Sequence, residues 1–391
     1  MSEMNAKVDG LLAKAVATGH IPGVAAMVVN RQGVLYEGGF GKRVIGQDAE
    51  MGIDTVVWIA SMTKAVTAAA VMQLVEQGRL ELDAPASDVV PAIANIPVLI
   101  GFDAQGQPLT RAPKRAITLR HLLTHTAGFG YDTWNAEVGR YATAMGLPSM
   151  QSGQERALQT ALLFDPGERW NYSIGIDHAA KMLQVVTGMR LGDYLQEHLL
   201  GPLGMKDTAF KIRPDMRSRM AKVHQRGDAG VLSPLMEMEI LQDPQIELGG
   251  GGLYSTVADY AKFVQMILNR GRGNGQQVLK PETVDLMSRN AIGESVVTEL
   301  KSVLPARSRN AEFFPGLRKN WGLSFQINQD QAPTGRSAGS LSWAGLSNCY
   351  YWIDPTRGFA GVYATQILPF ADVHSLPLFL DFETAVYQNL E

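Results

Sequence analysis

The chain has 391 residues and a formal net charge of -3 at pH 7, with 35 Lys and Arg residues against 38 Asp and Glu residues. This balance provides no basic field for nucleic acid or anionic lipid, so neither is expected as a partner. The single cysteine, Cys349, excludes an intrachain disulfide framework and a thiolate metal site.

The N-terminal stretch has neither a basic start nor an apolar run, and no segment reaches membrane-spanning length. We therefore expect a cytoplasmic protein that does not enter a membrane. Composition leaves the oligomeric state open.

The first part of the chain predicts a helix followed by a hairpin. Apolar residues at helical spacing indicate a helix over 8–17, and 24–29 and 34–37 read as two strands joined by a turn at 31–33. A long, mostly helical middle follows, with a helix over 58–78, a polar loop over 101–115, and helices over 118–125 and 177–187.

The pattern changes after residue 255. Residues 256–269 and 281–288 predict helices, and three segments have strand composition before a last helix over 372–390; the three segments are 321–327, 342–353 and 358–366. A two-stranded hairpin is too short to be stable alone, so we expect the first hairpin to join the late strands.

The expected fold is α/β (α+β): one antiparallel sheet flanked by terminal helices, with an inserted, mostly helical lobe. Residues 1–57 and 255–391 would form the sheet domain, and 58–254 the helical lobe. The active site is expected in the cleft between them.

The helix predicted over 58–78 carries the main candidate site. It is apolar on almost every face, so it should be buried, and it opens on Ser61 with Lys64 three residues later. This Ser-x-x-Lys spacing places a hydroxyl and an amine on one helix face. The first-turn N–H of Ser61 is free to bind an oxyanion, and burial favours a neutral Lys64 able to accept the serine proton.

The alternative is that Ser61 caps the helix and Lys64 is an ordinary surface lysine. Against it, this is the only Ser-x-x-Lys in the chain and it opens the most apolar helix. Tyr172 follows the turn 165–167 in an aromatic loop, where it could simply pack on Trp170. Next to a neutral lysine, however, a tyrosine hydroxyl can relay the serine proton and protonate a leaving group.

The order of four passages resembles the serine β-lactamase and penicillin-binding protein superfamily, and most closely its class C-like family VIII carboxylesterases. These passages are 61–64, 118–128, 170–173 and 339–346, and the likeness runs from the first hairpin to the last strand. It implies a β-lactamase-like fold with no cofactor and no metal.

The resemblance implies Ser61 as the acyl-forming nucleophile and Lys64 with Tyr172 as the base pair. It also implies the backbone N–H groups of Ser61 and Leu346 as the oxyanion hole. Leu346 is assigned by aligning 343–345 with the family's Lys-Thr-Gly strand motif, which makes Trp343 and Gly345 substrate-binding residues.

Two positions depart from the family's β-lactamases. Trp343 replaces the cation that binds a substrate carboxylate, and Ile174 stands two residues after Tyr172, where class C enzymes carry Asn. Both changes remove polar recognition. We therefore expect a carboxylesterase that works through an acyl-enzyme on Ser61. Its expected ligand is a small-molecule ester with a small to medium apolar acyl group, and β-lactam hydrolysis is expected as a weak side activity.

Residues 95–131 also resemble the fungal statin side-chain acyltransferases, so acyl transfer to an alcohol is an alternative to hydrolysis. A third alternative, from another class, is a catalytically silent binding protein of the same fold. The intact Ser61, Lys64 and Tyr172 argue against it.

Three further motifs match known functional signatures only in part. The Gly-x-Ser-x-Gly at 335–339 would make Ser337 a nucleophile, but it lacks the strand before and the helix after that an elbow needs. His121 and His125 have metal-ligand spacing without a third ligand, and the glycine run 249–252 lacks a P-loop lysine. We expect structural histidines and close backbone packing at the cleft edge.

Overall fold

A computed structural model of the protein describes residues 3–390. The largest sheet has seven strands, which are β1 Gly23–Asn30, β2 Val34–Gly41, β3 Lys319–Trp321, β4 Gln326–Asn328, β5 Leu341–Gly345, β6 Cys349–Asp354 and β7 Phe359–Ala364. Their order across the sheet is β3-β4-β5-β6-β7-β1-β2, and every neighbouring pair is antiparallel.

The first hairpin joins the late strands, as predicted. β1 pairs with β7 in a register that sets Ala26 opposite Tyr363, and with β2 on its other edge. Seven of its eight residues are buried, which explains why Val24 to Val29 form a continuous apolar run rather than an alternating one. The β-lactamase-like sheet with terminal helices is therefore confirmed.

Eleven α-helices surround the sheet and build the middle of the chain within residues 3–390. They are α1 Glu3–Ala17, α2 Thr63–Glu76, α3 Leu119–Leu123, α4 Ala136–Ala144, α5 Gly175–Thr187, α6 Leu191–Leu195, α7 Gly201–Leu203, α8 Pro214–Arg217, α9 Val257–Leu268, α10 Pro281–Met287 and α11 Ser375–Asn389. None of them is both long and apolar enough to cross a membrane.

Helices cover both faces of the sheet. Successive aromatic side chains of β6 point to opposite faces and contact a helix on each. Tyr350 stacks on Phe379 of α11, with ring centroids 4.6 Å apart, whereas its neighbour Tyr351 contacts Tyr260 of α9 at 5.3 Å. Helix α1 packs against α11 and the first hairpin. The terminal helices thus share one face, and α9 holds the other.

Short strands pair outside this sheet: Val57–Trp58 with Tyr254–Ser255, Val98–Phe102 with Pro108–Arg111, Arg272–Gly273 with Gln276–Gln277, and a three-stranded group of Ile367–Leu368, His224–Arg226 and Leu232–Pro234. The first pair ties together the two positions where the lobe boundaries are predicted. The division into lobes itself stays a prediction.

Four sequence-based assignments need correction. The loop predicted over 101–115 contains part of a hairpin, and the strand predicted over 342–353 is two strands that turn at 346–348. The strand predicted over 321–327 is likewise two. The helix predicted over 58–78 begins as a separate 3₁₀ turn, Ala60–Met62, before α2 starts at Thr63.

Candidate active site

Ser61 lies in the 3₁₀ turn that leads into α2, and the turn is strained. Ala60 has a φ of +43°, a left-handed conformation that costs a non-glycine residue about 1–3 kcal/mol. The backbone N–H of Ser61 donates to no group of the described chain. A strained turn therefore presents both the hydroxyl and a free N–H of Ser61 ahead of a buried helix.

Lys64 contacts the serine and is held from two other sides. Its Nζ lies 3.3 Å from Ser61 Oγ, 2.9 Å from the Tyr131 hydroxyl and 2.7 Å from the carbonyl oxygen of Gly250. Only 1% of the residue is exposed. In the neutral amine, two N–H bonds can donate to Gly250 and Tyr131, which leaves the lone pair for the Ser61 proton.

The structure gives the two tyrosines different positions. The hydroxyl of Tyr131, which sequence reasoning missed, accepts a hydrogen bond from Lys64 Nζ, whereas the Tyr172 hydroxyl accepts one from Trp343 Nε1 at 3.1 Å. The Tyr172 ring still lies against the lysine, with Lys64 Nζ 4.8 Å from its centroid. Burial first, and Asp177 second, raise the pKa of Tyr131 well above its usual value, so this hydroxyl keeps its proton.

Leu346 and Gly345 lie at the end of β5, next to the serine turn. A Cβ on Gly345 would come within 2.2 Å of the carbonyl oxygen of Ile59, so only glycine allows this approach. The N–H of Leu346 makes no backbone hydrogen bond within the described chain. Ser61 and Leu346 line the same cavity, as an oxyanion hole built from both would require.

That cavity has a volume of about 350 Å³, and Ser61 is part of its wall. Most of its wall is apolar or small, and the wall is lined by Trp58, Ala60, Ser61, Gly130, Tyr131, Asp132, Thr133, Trp134, Val138, Gly139, Ala142, Thr143, Leu147, Pro148, Ser149, Met150, Gln151, Ala157, Thr160, Ile174, Asp177, Ile240, Leu248, Gly250, Gly251, Arg307 and Leu346. Helix α4 and the chain around it supply one continuous side of the wall.

Trp343 and Gly345, predicted to bind substrate, are not among the residues that line the cavity. The Trp343 indole is 5% exposed, lies 4.6 Å from the ring of Trp321, and donates to Tyr172. The Trp343 side chain therefore acts on Tyr172, to which it donates, rather than on a ligand in the cavity. Ile174, the other departure from the family pattern, does line the cavity and makes that part of the wall apolar.

Asp177 and the glycine run connect to Lys64. The N–H of Gly250 donates to Asp177 Oδ1 at 2.8 Å while the Gly250 carbonyl accepts from Lys64. Burial raises the pKa of Asp177, and the nearby Lys64 opposes the shift. The glycines predicted as close backbone packing at the cleft edge thus anchor the lysine itself.

The two histidines make structural contacts. His121 accepts from the N–H of Thr118 and caps α3, whereas His125 is fully buried and contacts Ser173 at 3.2 Å. Burial, and then Lys64, lower the pKa of His125 well below its usual value, which keeps the ring neutral. In the described chain, no cluster of three His, Cys, Asp or Glu side chains could hold a metal ion.

Ser337 lies in the connection between β4 and β5 and is followed by a strand rather than a helix, so the elbow context is absent. Its N–H donates to Asp354, and the preceding Arg336 forms a buried ion pair with Glu383. This glycine-rich stretch is part of the packing beneath α11.

An antiparallel sheet with helices on both faces, and a Ser-x-x-Lys turn whose serine lines a cleft, together define the β-lactamase-like class of proteins. The chain belongs to the Beta-lactamase family, whose sequence model matches residues 8–384.

Named relatives lie within this family. The chain is 32% identical to the monacolin J acid methylbutanoyltransferase of Aspergillus terreus, over 97% of this chain and 94% of that protein. It is 29% identical to the lovastatin esterase of Penicillium rubens, over 93% of each. The unliganded simvastatin synthase LovD of Aspergillus terreus superposes with a TM-score of 0.86 at 30% identity, over all of both chains.

Proposed function

We propose that the protein is a serine acyltransferase that takes an acyl group from an ester donor onto Ser61 and passes it to an alcohol. The observation that carries the proposal is the Ser61 Oγ to Lys64 Nζ contact of 3.3 Å at the base of a largely apolar cavity. Small to medium apolar acyl groups fit that wall. The transferase relatives support transfer to an alcohol above hydrolysis as the main activity.

In the first half-reaction, Lys64 takes the proton of Ser61 while Oγ attacks the donor carbonyl. The N–H groups of Ser61 and Leu346 would receive the developing oxyanion. Tyr172 would protonate the leaving oxygen, because its hydroxyl accepts from Trp343 and so has its own proton to give. Tyr131 keeps Lys64 in place.

In the second half-reaction, the Tyr172 phenolate left by the first step takes the proton of the acceptor hydroxyl as that oxygen attacks the acyl-enzyme. Protonated Lys64 returns its proton to Ser61 Oγ as Ser61 leaves. Water in the acceptor position gives hydrolysis, the carboxylesterase activity predicted from the sequence, and the esterase relative supports this as the competing outcome.

Covalent trapping tests the site. A serine-reactive alkyl phosphonate ester should add to Ser61, and peptide mapping should find no adduct there in Ser61→Ala and slower labelling in Lys64→Ala. An adduct on Ser337 would overturn the mechanism. The absence of any adduct on a folded protein would favour the silent binding protein.

Product analysis then tests the reaction. With p-nitrophenyl butyrate and increasing alcohol, the butyryl ester of the alcohol should accumulate at the expense of butyrate. If butyrate is the only product at every alcohol concentration, hydrolysis is the main activity and the acyltransferase proposal is wrong. Nitrocefin turnover measures the β-lactamase alternative, which is expected to be weak because Trp343 replaces a carboxylate-binding cation.

A further inference from the structure

Asp177 lies in the cavity wall with one carboxyl oxygen in use and the other free. It is the third residue of α5, and only 5% of it is exposed. Oδ1 accepts the N–H of Gly250, whereas Oδ2 has no hydrogen-bond partner in residues 3–390. The proposed reaction involves Asp177 only through Gly250, which holds Lys64, so Oδ2 has no part in it.

Oδ2 of Asp177 is open to the cavity, unlike other unpartnered polar atoms nearby. Thr160 also lines the cavity, but its Oγ1 is enclosed by protein and has no partner in the described chain. Nε2 of His178, the residue after Asp177, is enclosed in the same way. Oδ2 is not one of these enclosed atoms. A ligand in the cavity therefore reaches Oδ2 and does not reach Thr160 Oγ1.

The carboxyl group of Asp177 carries its proton when substrate binds. Burial raises its pKa above the usual value, because a carboxylate in the wall loses its hydration and forms no ion pair with the described residues. Lys64 opposes this shift as an ammonium, but the free enzyme of the proposed reaction holds the neutral amine, and the Tyr172 phenolate balances Lys64 in the acyl-enzyme. Since Oδ1 accepts from Gly250, the proton is on Oδ2.

We propose that Asp177 is a specificity residue whose Oδ2–H donates a hydrogen bond to a second oxygen of the substrate, separate from the reacting ester or hydroxyl group. An ether, carbonyl or hydroxyl oxygen can accept this bond, whereas a hydrocarbon chain cannot. A hydrocarbon would leave the buried donor unpaired, so the site favours substrates that carry such an oxygen. This inference rests on the proposed acyl transfer.

The second oxygen belongs close to the reacting group. Asp177 Oδ2 lies against Gly250, since a Cβ added there would clash with it. The Gly250 carbonyl accepts from Lys64 at 2.7 Å, and Lys64 contacts Ser61 at 3.3 Å. A short chain between the two oxygens of the substrate matches this arrangement. Alkoxy alcohols and alkoxy acyl groups are therefore the expected class.

Competition between two acceptors tests the proposal in the full-length protein. 2-Methoxyethanol and 1-butanol have the same chain length, and an ether oxygen in the first replaces a methylene group in the second. With p-nitrophenyl butyrate as donor, both alcohols react with one acyl-enzyme, so the ratio of methoxyethyl to butyl ester does not depend on acylation. Asp177→Leu is similar in shape but has no donor, and should lower this ratio about threefold to tenfold.

Two matched variants identify the donor. Asp177→Asn keeps an oxygen for the N–H of Gly250 and an amide NH₂ for the substrate, so its ratio should stay within about twofold of the parent ratio. Thr160→Val removes the enclosed hydroxyl from the same wall and should leave the ratio unchanged. Asp177→Ala replaces the leucine variant if that protein does not fold, and should show the same loss.

A donor pair shows which reactant carries the oxygen. p-Nitrophenyl 3-methoxypropanoate and p-nitrophenyl pentanoate differ by the same replacement, and their kcat/KM ratio should fall in Asp177→Leu if the acyl group provides the oxygen. The proposal is overturned if Asp177→Leu changes neither ratio, if Asp177→Asn loses as much as Asp177→Leu, or if Thr160→Val causes the loss instead. Butyl butyrate among the products still supports the acyltransferase. Free acids as the only products would refute the acyltransferase, and the donor pair would still test Asp177.

Discussion

Gly250→Ala should disturb Lys64 without touching any reacting atom. A Cβ at this position would lie 2.4 Å from Asp177 Oδ2, and real Cβ contacts are not found below 3.0 Å, so the two groups must separate by at least 3.0 − 2.4 = 0.6 Å. The Gly250 carbonyl, 2.7 Å from Lys64 Nζ, moves with them. Since a 1 Å misplacement costs about a hundredfold in rate, we expect acylation to slow by about tenfold to a hundredfold.

Gly251→Ala is the matched control. The nearest atom to its Cβ would be 3.9 Å away, which is an ordinary contact distance. The acylation rate should therefore stay within about twofold of the parent rate, which corresponds to a change in the activation barrier below ~0.5 kcal/mol. Stopped-flow release of p-nitrophenolate in the first turnover measures acylation directly, and thermal unfolding checks that both variants are folded. A folded Gly250→Ala protein that acylates at the parent rate would refute the lysine-anchoring argument.

Three further predictions address the tyrosines, acid stability and a buried ion pair. Tyr172→Phe should lower kcat about a hundredfold or more as the loss of a proton donor, and Tyr131→Phe about tenfold; the reverse order would make Tyr131 the relay. Burial lowers the pKa of His178 from 6.5 to about 4, so the stability that the neutral ring provides is complete above pH 6.5 and is lost at lower pH. The free energy of unfolding should therefore fall by about 3 kcal/mol as the pH drops from 6.5 to 4. Urea unfolding at pH 7.5 and 5 should show a smaller loss of stability with falling pH in His178→Gln than in the parent. Glu383→Gln leaves the buried Arg336 uncompensated and should lower the free energy of unfolding by about 3–5 kcal/mol, whereas a loss below about 1 kcal/mol would mean that the pair is dispensable.

The parts of the fold that sequence predicted well are those with strong local patterns. The apolar run of β1 and the largely apolar sequence of α2 can be recognised without knowledge of their partners, because most residues of each element are of a type that favours burial. Ser61 and Lys64 were found for the same reason, since their spacing lies within one turn.

Contacts between distant residues were beyond the sequence. Tyr131 reaches Lys64 across 67 positions and Gly250 across 186, with no period or spacing that links them. The hairpin that pairs Val98–Phe102 with Pro108–Arg111 was missed because its strands have only five and four residues and neither shows an alternating pattern of burial. Trp343 is predicted to bind substrate because its strand aligns with the family motif, but the sequence does not show that its indole donates to Tyr172.

The continuous side of the cavity wall has a consequence for how this protein can change. Residues 132–151, which begin just after Tyr131, form most of that side, while Ser61, Lys64, Gly250 and Gly345 come from other stretches. A Cβ on Gly250 or Gly345 would come too close to its neighbours, so neither glycine accepts a new side chain. Most of the residues that choose the ligand and the residues that make and break bonds thus lie in separate segments of the sequence. Exchanging this one segment between relatives is a route to new substrates that leaves the reacting atoms where they are. Selection can vary the segment without compensating changes among the reacting residues.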